Sequence, residues 1–133
     1  MFVTFKPENG DAQQWEFNPR RVRAAQCVMI EKRYGKPWSV FTTHLMQGSM
    51  EARQVLLWHL IRLDHPSLRW EDTPDFYADE LEVEFSRSEL EELRAAVATA
   101  RGSLTEAERA DALATIDGEI EKAPTALDAG KAP

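Results

Sequence analysis

Hydrophobic residues recur along this chain first with period two and then with helical spacing, and the switch points divide it. The segments 2–5 and 14–17 are strand-like, the second with aromatic residues at alternate positions, Trp15 and Phe17. Between them Pro7-Glu8-Asn9-Gly10-Asp11 contains Asn9-Gly10, a pair that tolerates positive φ, so the two runs predict a β-hairpin. Asn18 then offers a cap, Pro19 fits a first helical position and Gly35 fits just past a last one. These signals predict a helix over 19–34, with Val22, Ala25 and Met29 on one stripe and Cys27, Ile30 and Tyr34 on the next. Trp38, Phe41 and Leu45 predict a short helix over 37–47, stopped by Gly48. Ser49 opens a third helix that ends at His65-Pro66. Val55, Leu56, Leu57, Trp58, Leu60, Ile61 and Leu63 make it apolar almost all round, the pattern of a buried central helix.

The second half returns to period two before becoming helical again. Residues 67–72 read as a connection with room for a short strand at 68–70, and Thr73-Pro74-Asp75 reads as a turn after which Phe76 and Tyr77 dock on the core. Glu80-Leu81-Glu82-Val83-Glu84-Phe85 alternates acid and apolar, which predicts a strand with one buried face and one face of carboxylates. Ser86-Arg87-Ser88-Glu89 matches a capping box and opens a helix to Arg101 with Leu90, Leu93 and Val97 as its stripe, stopped by Gly102. Ser103-Leu104-Thr105-Glu106 repeats the capping pattern ahead of a helix to about Lys122, weakened by Gly118. Residues 123–133 read as disordered by composition. The fold class is therefore α+β and mainly helical. The expected organisation is a β-hairpin and compact helical core over 1–85, acidic helices over 86–122 and a tail over 123–133.

Charge adds an asymmetry to this layout. Residues 1–70 carry a net +4 and residues 71–133 a net −11, within an overall −7. An acidic total disfavours nonspecific nucleic-acid binding, which depends on neutralising phosphates. Arg20, Arg21 and Arg23 nonetheless crowd the predicted start of the first helix, where the dipole repels cations. They either form a basic contact patch or pair with the acidic half. The 133-residue length suits one domain with a tail. No apolar run reaches the ~18 residues of a membrane span, and no signal peptide is evident. The single cysteine, Cys27, excludes an internal disulfide or a cysteine-rich zinc site and fits a reducing cytoplasm.

The chain has no glycine-rich phosphate loop, no Gly-x-Ser-x-Gly and no His-Glu-x-x-His. His44, His59 and His65 lie at spacings that cannot form a helical metal pair. His59 reads as a hydrogen-bonded core residue and Cys27 as a packing residue. No catalytic, cofactor or metal site is expected. What remains is an interaction module whose acidic amphipathic helices suit a hydrophobic, basic or incompletely folded partner.

Several segments together resemble a known family. Glu31-Lys32-Arg33-Tyr34-Gly35, Trp38-x-x-Phe41, Gly48-Ser49-Met50-x-Ala52-Arg53-x-Val55-Leu56-Leu57-Trp58 and His65-Pro66-x-Leu68-Arg69-Trp70-Glu71-Asp72 are similar to the tail assembly chaperones of long-tailed, siphovirus-type actinobacterial phages. The resemblance covers roughly half of the chain and consists of packing and turn residues. It implies a protein of the host cytoplasm that is not retained in the mature virion. Such a protein binds the tape-measure protein, keeps it soluble and promotes tail-tube polymerisation around it. It also implies that this chain is the short form, and that a longer form made by programmed frameshifting contacts the tail-tube protein. Gly130-Lys131 is compatible with a slippery codon pair for that event. Self-association is a further expected contact. On this reading the partner surface lies on the outer faces of the helices over 37–47 and 86–101, with Trp38, Phe41, Leu90 and Leu93 as candidates alongside Arg20, Arg21 and Arg23. Two other classes remain open: a structural tail or head–tail adaptor protein, and a basic-helix nucleic-acid-binding regulator.

Overall fold

Three short strands form one antiparallel sheet of order β2-β1-β3 in a computed structural model that describes residues 1–99 and 105–123. The strands are β1 (Phe2–Phe5), β2 (Gln13–Glu16) and β3 (Leu81–Glu84). Five α-helices accompany them among the described residues: α1 (Ala24–Tyr34), α2 (Trp38–Met46), α3 (Met50–Asp64), α4 (Arg87–Thr99) and α5 (Glu106–Lys122). The fold is α+β and mainly helical. The chain divides into two compact units. One is Val3–Glu82, and the other is Met1–Phe2 with the described residues from Val83 onward.

In the first unit β1 is central, and Val3 and Phe5 are buried. The hairpin turn runs from Pro7 to Gly10, with the Gly10 amide donating to the Pro7 carbonyl at 3.3 Å. Neither Asn9 nor Gly10 uses the positive φ that their pairing invited. The loop between the strands is long enough to reverse without a two-residue primed turn. The third strand joins β1 through a bond from the Lys6 amide to the Glu80 carbonyl at 2.8 Å. Its alternation is as expected, with Leu81 buried and Glu82 and Glu84 exposed. Glu80 differs from those two. Its carboxylate accepts from the Glu8 amide and the Tyr77 amide, each at 2.6 Å, and so ties the hairpin loop to the approach to β3.

The first helix begins at Ala24, later than Asn18 and Pro19 suggested. The Asn18 side chain accepts from the Arg20 amide at 3.0 Å and its carbonyl accepts from the Arg21 amide at 3.0 Å, which closes a turn instead. This removes Arg20 and Arg21 from the positive end of the helix dipole, where cations are unfavourable. Arg23 occupies the N-cap without a side-chain bond. At the other end Gly35 adopts φ 78° and its amide donates to the Glu31 carbonyl at 2.7 Å, a left-handed stop that glycine provides without strain. Glu31 then reaches across the connection and accepts from the Trp38 amide at 2.7 Å, so α1 supplies a cap for α2. Ser49 caps α3 by accepting from the Ala52 amide at 3.2 Å.

As its pattern required, α3 is the central helix, with Ala52, Val55, Leu56, Leu57, Trp58, His59 and Leu60 all buried. Phe41 and Leu45 from α2 and Ile30 and Tyr34 from α1 complete that core. Phe17, just beyond β2, meets Trp38 and His59 edge to face at 6.5 and 5.9 Å. Phe76 docks against Phe5 at 6.2 Å, whereas Tyr77 stays 70% exposed rather than joining the core. The possible strand at 68–70 is instead a connection into a 3-10 turn at Trp70–Asp72.

The second unit is built on α4 and α5. Ser86 and Glu89 form the predicted capping box, with the Ser86 amide donating to Glu89 Oε1 at 2.9 Å and the Glu89 amide to Ser86 Oγ at 3.3 Å. The Met1 amino nitrogen lies 2.7 Å from the same Glu89 carboxylate. Thr105 caps α5 and accepts from the Glu108 amide at 3.1 Å. The helix runs unbroken through Gly118 to Lys122. Arg94 of α4 and Asp117 of α5 pair at 2.6 Å. The Gly102 stop, Ser103, the end of the first of these helices and positions 124–133, including Gly130-Lys131, lie outside the described residues. Among the described residues no helix is long and apolar enough to cross a membrane.

Candidate functional site

Each unit contains a groove with apolar walls. In the first unit the groove lies between α1 and α3. It is about 250 Å³, with Met29 and Ile30 on one side, Trp58, His59, Arg62 and Leu63 on the other and Pro66 at the end. Helical spacing explains the α3 wall. His59 and Leu63, and likewise Trp58 and Arg62, are four residues apart and therefore share a face. Met29 is 41% and Leu63 49% exposed, and Val28 beside them is 44% exposed. Of the two stripes on α1, the one with Ile30 and Tyr34 enters the core, whereas Met29 of the other faces water. Exposed methionine in an apolar groove suits contact with side chains of variable shape, because its thioether chain adapts.

Stacked rings flank the groove. The Arg33 guanidinium lies over Trp70 at 4.8 Å, Trp70 meets Trp58 edge to face at 6.0 Å, and Arg62 lies over Trp58 at 4.9 Å. Arg62 also donates to the Leu68 carbonyl at 3.4 Å, which holds the connection after α3. Each cation–ring contact contributes ~0.5–1 kcal/mol where solvent reaches it, and the ring pair a similar amount. Trp58 Nε1 is buried without a hydrogen-bond partner among the described residues.

The His59 ring makes no hydrogen bond to another described residue, contrary to expectation. Its ring packs edge-on against Phe17. Burial, and secondarily the positive charge of Arg62, hold its pKa below the ordinary histidine value. The hydrogen-bonded histidine is His44, whose Nδ1 lies 2.6 Å from the Tyr34 hydroxyl. The Cys27 thiol is pushed up by burial and by Glu31, so it is a poor nucleophile, and its sulfur contacts the Val22 carbonyl at 3.7 Å. Among the described residues no group of three histidine, cysteine or carboxylate side chains is placed to hold a metal.

The second groove lies between α4 and α5, is about 320 Å³, and is lined chiefly by Val83, Phe85, Leu90, Leu93 and Ile116. Glu84, Glu119 and Lys122 border it. A wider depression of about 690 Å³ over the hairpin loop is open, and its Glu80 carboxylate is already occupied by two backbone amides.

The seven candidate contact residues are dispersed. Phe41 is wholly buried, stacked with Tyr34 and Trp38 at 5.2 and 5.5 Å, and presents nothing outward. Trp38 is half-buried against Phe17, Val40 and Met46 are half-buried, and the exposed positions of α2 are polar, with the Thr42 and Thr43 hydroxyls donating to the Ser39 carbonyl. Leu90 is 6% exposed and forms the floor of the second groove, while Leu93 stands half-exposed in its wall. Arg20, Arg21 and Arg23 are exposed ahead of α1 and line neither groove. Sequence reasoning missed the α1–α3 groove altogether. The available signal was Trp58 with Arg62 four residues later.

No protein-family model, curated protein or solved structure matches this chain.

Proposed function

We propose that this chain is a phage tail assembly chaperone, a non-catalytic protein that binds the tape-measure protein in the host cytoplasm. It shields the apolar stripes of that long helical partner and promotes tail-tube polymerisation around it. A longer frameshifted form that contacts the tube subunit belongs to the same proposal.

One observation carries the reading. Residues of the family-like pattern that are far apart in sequence converge on one groove: Arg33, Trp58 and Trp70 stack beside it, and Pro66 closes its end. Met29 and Leu63 are exposed next to that stack and give the groove an accessible apolar edge. Such a groove accepts the apolar face of an amphipathic helix through positions spaced three or four apart. Arg33 and Arg62 at its flank suit carboxylates next to that apolar face.

Co-expression with overlapping fragments of the tape-measure protein from the same genome tests the proposal. At least one fragment becomes soluble and co-purifies with the wild-type chain, and Leu63→Asp abolishes the effect. Failure across all fragments, or retention of the chain in purified virions, favours the structural adaptor reading instead.

A further inference from the structure

The unit containing α4 and α5 buries little apolar surface of its own. Of the stripe residues only Leu90 and Ile116 are buried, and Leu93, Val97, Leu113 and Ile120 remain half-exposed along the two helices. Among the described residues two helices with a groove between them form an incomplete bundle, since a third element is needed to cover both stripes. The surroundings of the groove have one dominant sign. The described residues from 83 onward include ten carboxylates and four cations. Of those cations, Arg94 is engaged with Asp117. Glu84 and Glu119 border the groove, and Glu91 and Glu121 are exposed on the same helices. Lys122 is the one cation at the border, at the end of α5 where the helix dipole favours it.

We propose that the α4–α5 groove is a docking site for a cationic amphipathic helix of a partner protein. The helix lays an apolar stripe over Val83, Leu93 and Ile116 and sets lysine or arginine beside Glu84 and Glu119. Charge complementarity selects this occupant: an acidic helix brings like charges together at the rim, which an interface penalises strongly. A neutral apolar helix leaves the rim carboxylates facing low-dielectric surface. This site is distinct from the α1–α3 groove and does not depend on the tail-assembly reading.

The experiment uses the full chain carrying Leu63→Asp, which blocks the α1–α3 groove and its arginine flank against the glutamate peptide, and two synthetic helical peptides of about five turns. Both have the same leucine stripe, one flanked by lysine and the other by glutamate. Fluorescence anisotropy is expected to give binding of the lysine peptide in the roughly micromolar range, with the glutamate peptide at least about tenfold weaker. Binding of the lysine peptide weakens as salt is raised. Adding Leu93→Asp in that background removes the binding. The double variant Glu84→Lys/Glu119→Lys, whose sites are exposed and tolerate the change, reverses the preference. Equal affinity for the two peptides overturns the proposal, as does binding that survives Leu93→Asp while circular dichroism confirms the fold. Self-association that is lost in Leu93→Asp also overturns it, by giving the groove to a second copy of the chain.

Discussion

Replacing Trp58 probes both the core and the groove. The residue is 6% exposed and lies between Arg62 and Trp70. A tryptophan buries ~150–250 Å². At ~25 cal/mol per Å² this is worth ~4–6 kcal/mol, and a compact unfolded state trims it to ~3–5 kcal/mol. Loss of the Arg62 and Trp70 contacts adds ~1 kcal/mol. Removing the unpartnered Nε1 donor gives back a similar amount, since a buried unsatisfied N–H costs ~1–3 kcal/mol. Trp58→Ala should therefore lose ~3–5 kcal/mol. Trp58→Phe keeps a ring against Arg62 and discards the orphan donor, so its loss should stay under ~1.5 kcal/mol. Urea denaturation followed by circular dichroism reads both values as shifts of the midpoint at constant slope. A loss below ~1 kcal/mol for Trp58→Ala would mean that α3 is not the centre of its unit. A loss well above ~1.5 kcal/mol for Trp58→Phe would mean that the orphan donor has no energetic weight.

Two further outcomes follow from single groups. Ser86→Ala removes the acceptor for the Glu89 amide and should destabilise α4 by ~1 kcal/mol, seen as a lower helical signal and midpoint. His59 has a lowered pKa in the folded chain, so the unfolded chain binds the proton more readily. Stability contributed by neutral His59 is present above the ordinary value of 6.5 and is lost as pH falls through it toward the lowered folded value. Midpoints measured across that range should fall on acidification, and His59→Gln should flatten the slope. An unchanged slope in the variant would assign the pH dependence to other groups.

Local chemistry was the most legible part of this chain. Ser49, Ser86 with Glu89, and Gly35 act within a few residues of themselves, so their patterns translated directly into caps and stops. Asn18-Pro19 misled for an equally local reason: the asparagine side chain found backbone donors in a turn, and the adjacent arginines opposed a helix start. The alternating acids of β3 were readable, but its pairing with β1 was not, because nothing local encodes a partner so distant in sequence. The α1–α3 groove stayed hidden for the same reason. Its stack joins Arg33, Trp58, Arg62 and Trp70 from three segments, and a helix apolar nearly all round gave no hint that Leu63 would be left in water. Phe41 was offered as a contact residue because spacing alone cannot tell an inward stripe from an outward one, and on α2 the stripe through Phe41 and Leu45 is the buried one.

The central claim is that the exposed apolar edge of the α1–α3 groove holds the tape-measure protein. The most direct measurement is the soluble yield of a tape-measure fragment co-expressed with wild-type chain, with Leu63→Asp or with Met29→Asp. Both sites are exposed enough that the variants should fold with unchanged circular dichroism. The fragment should be soluble and co-purify with the wild type and be insoluble with either variant. A fragment equally soluble in all three cultures, or soluble in none, would contradict that claim.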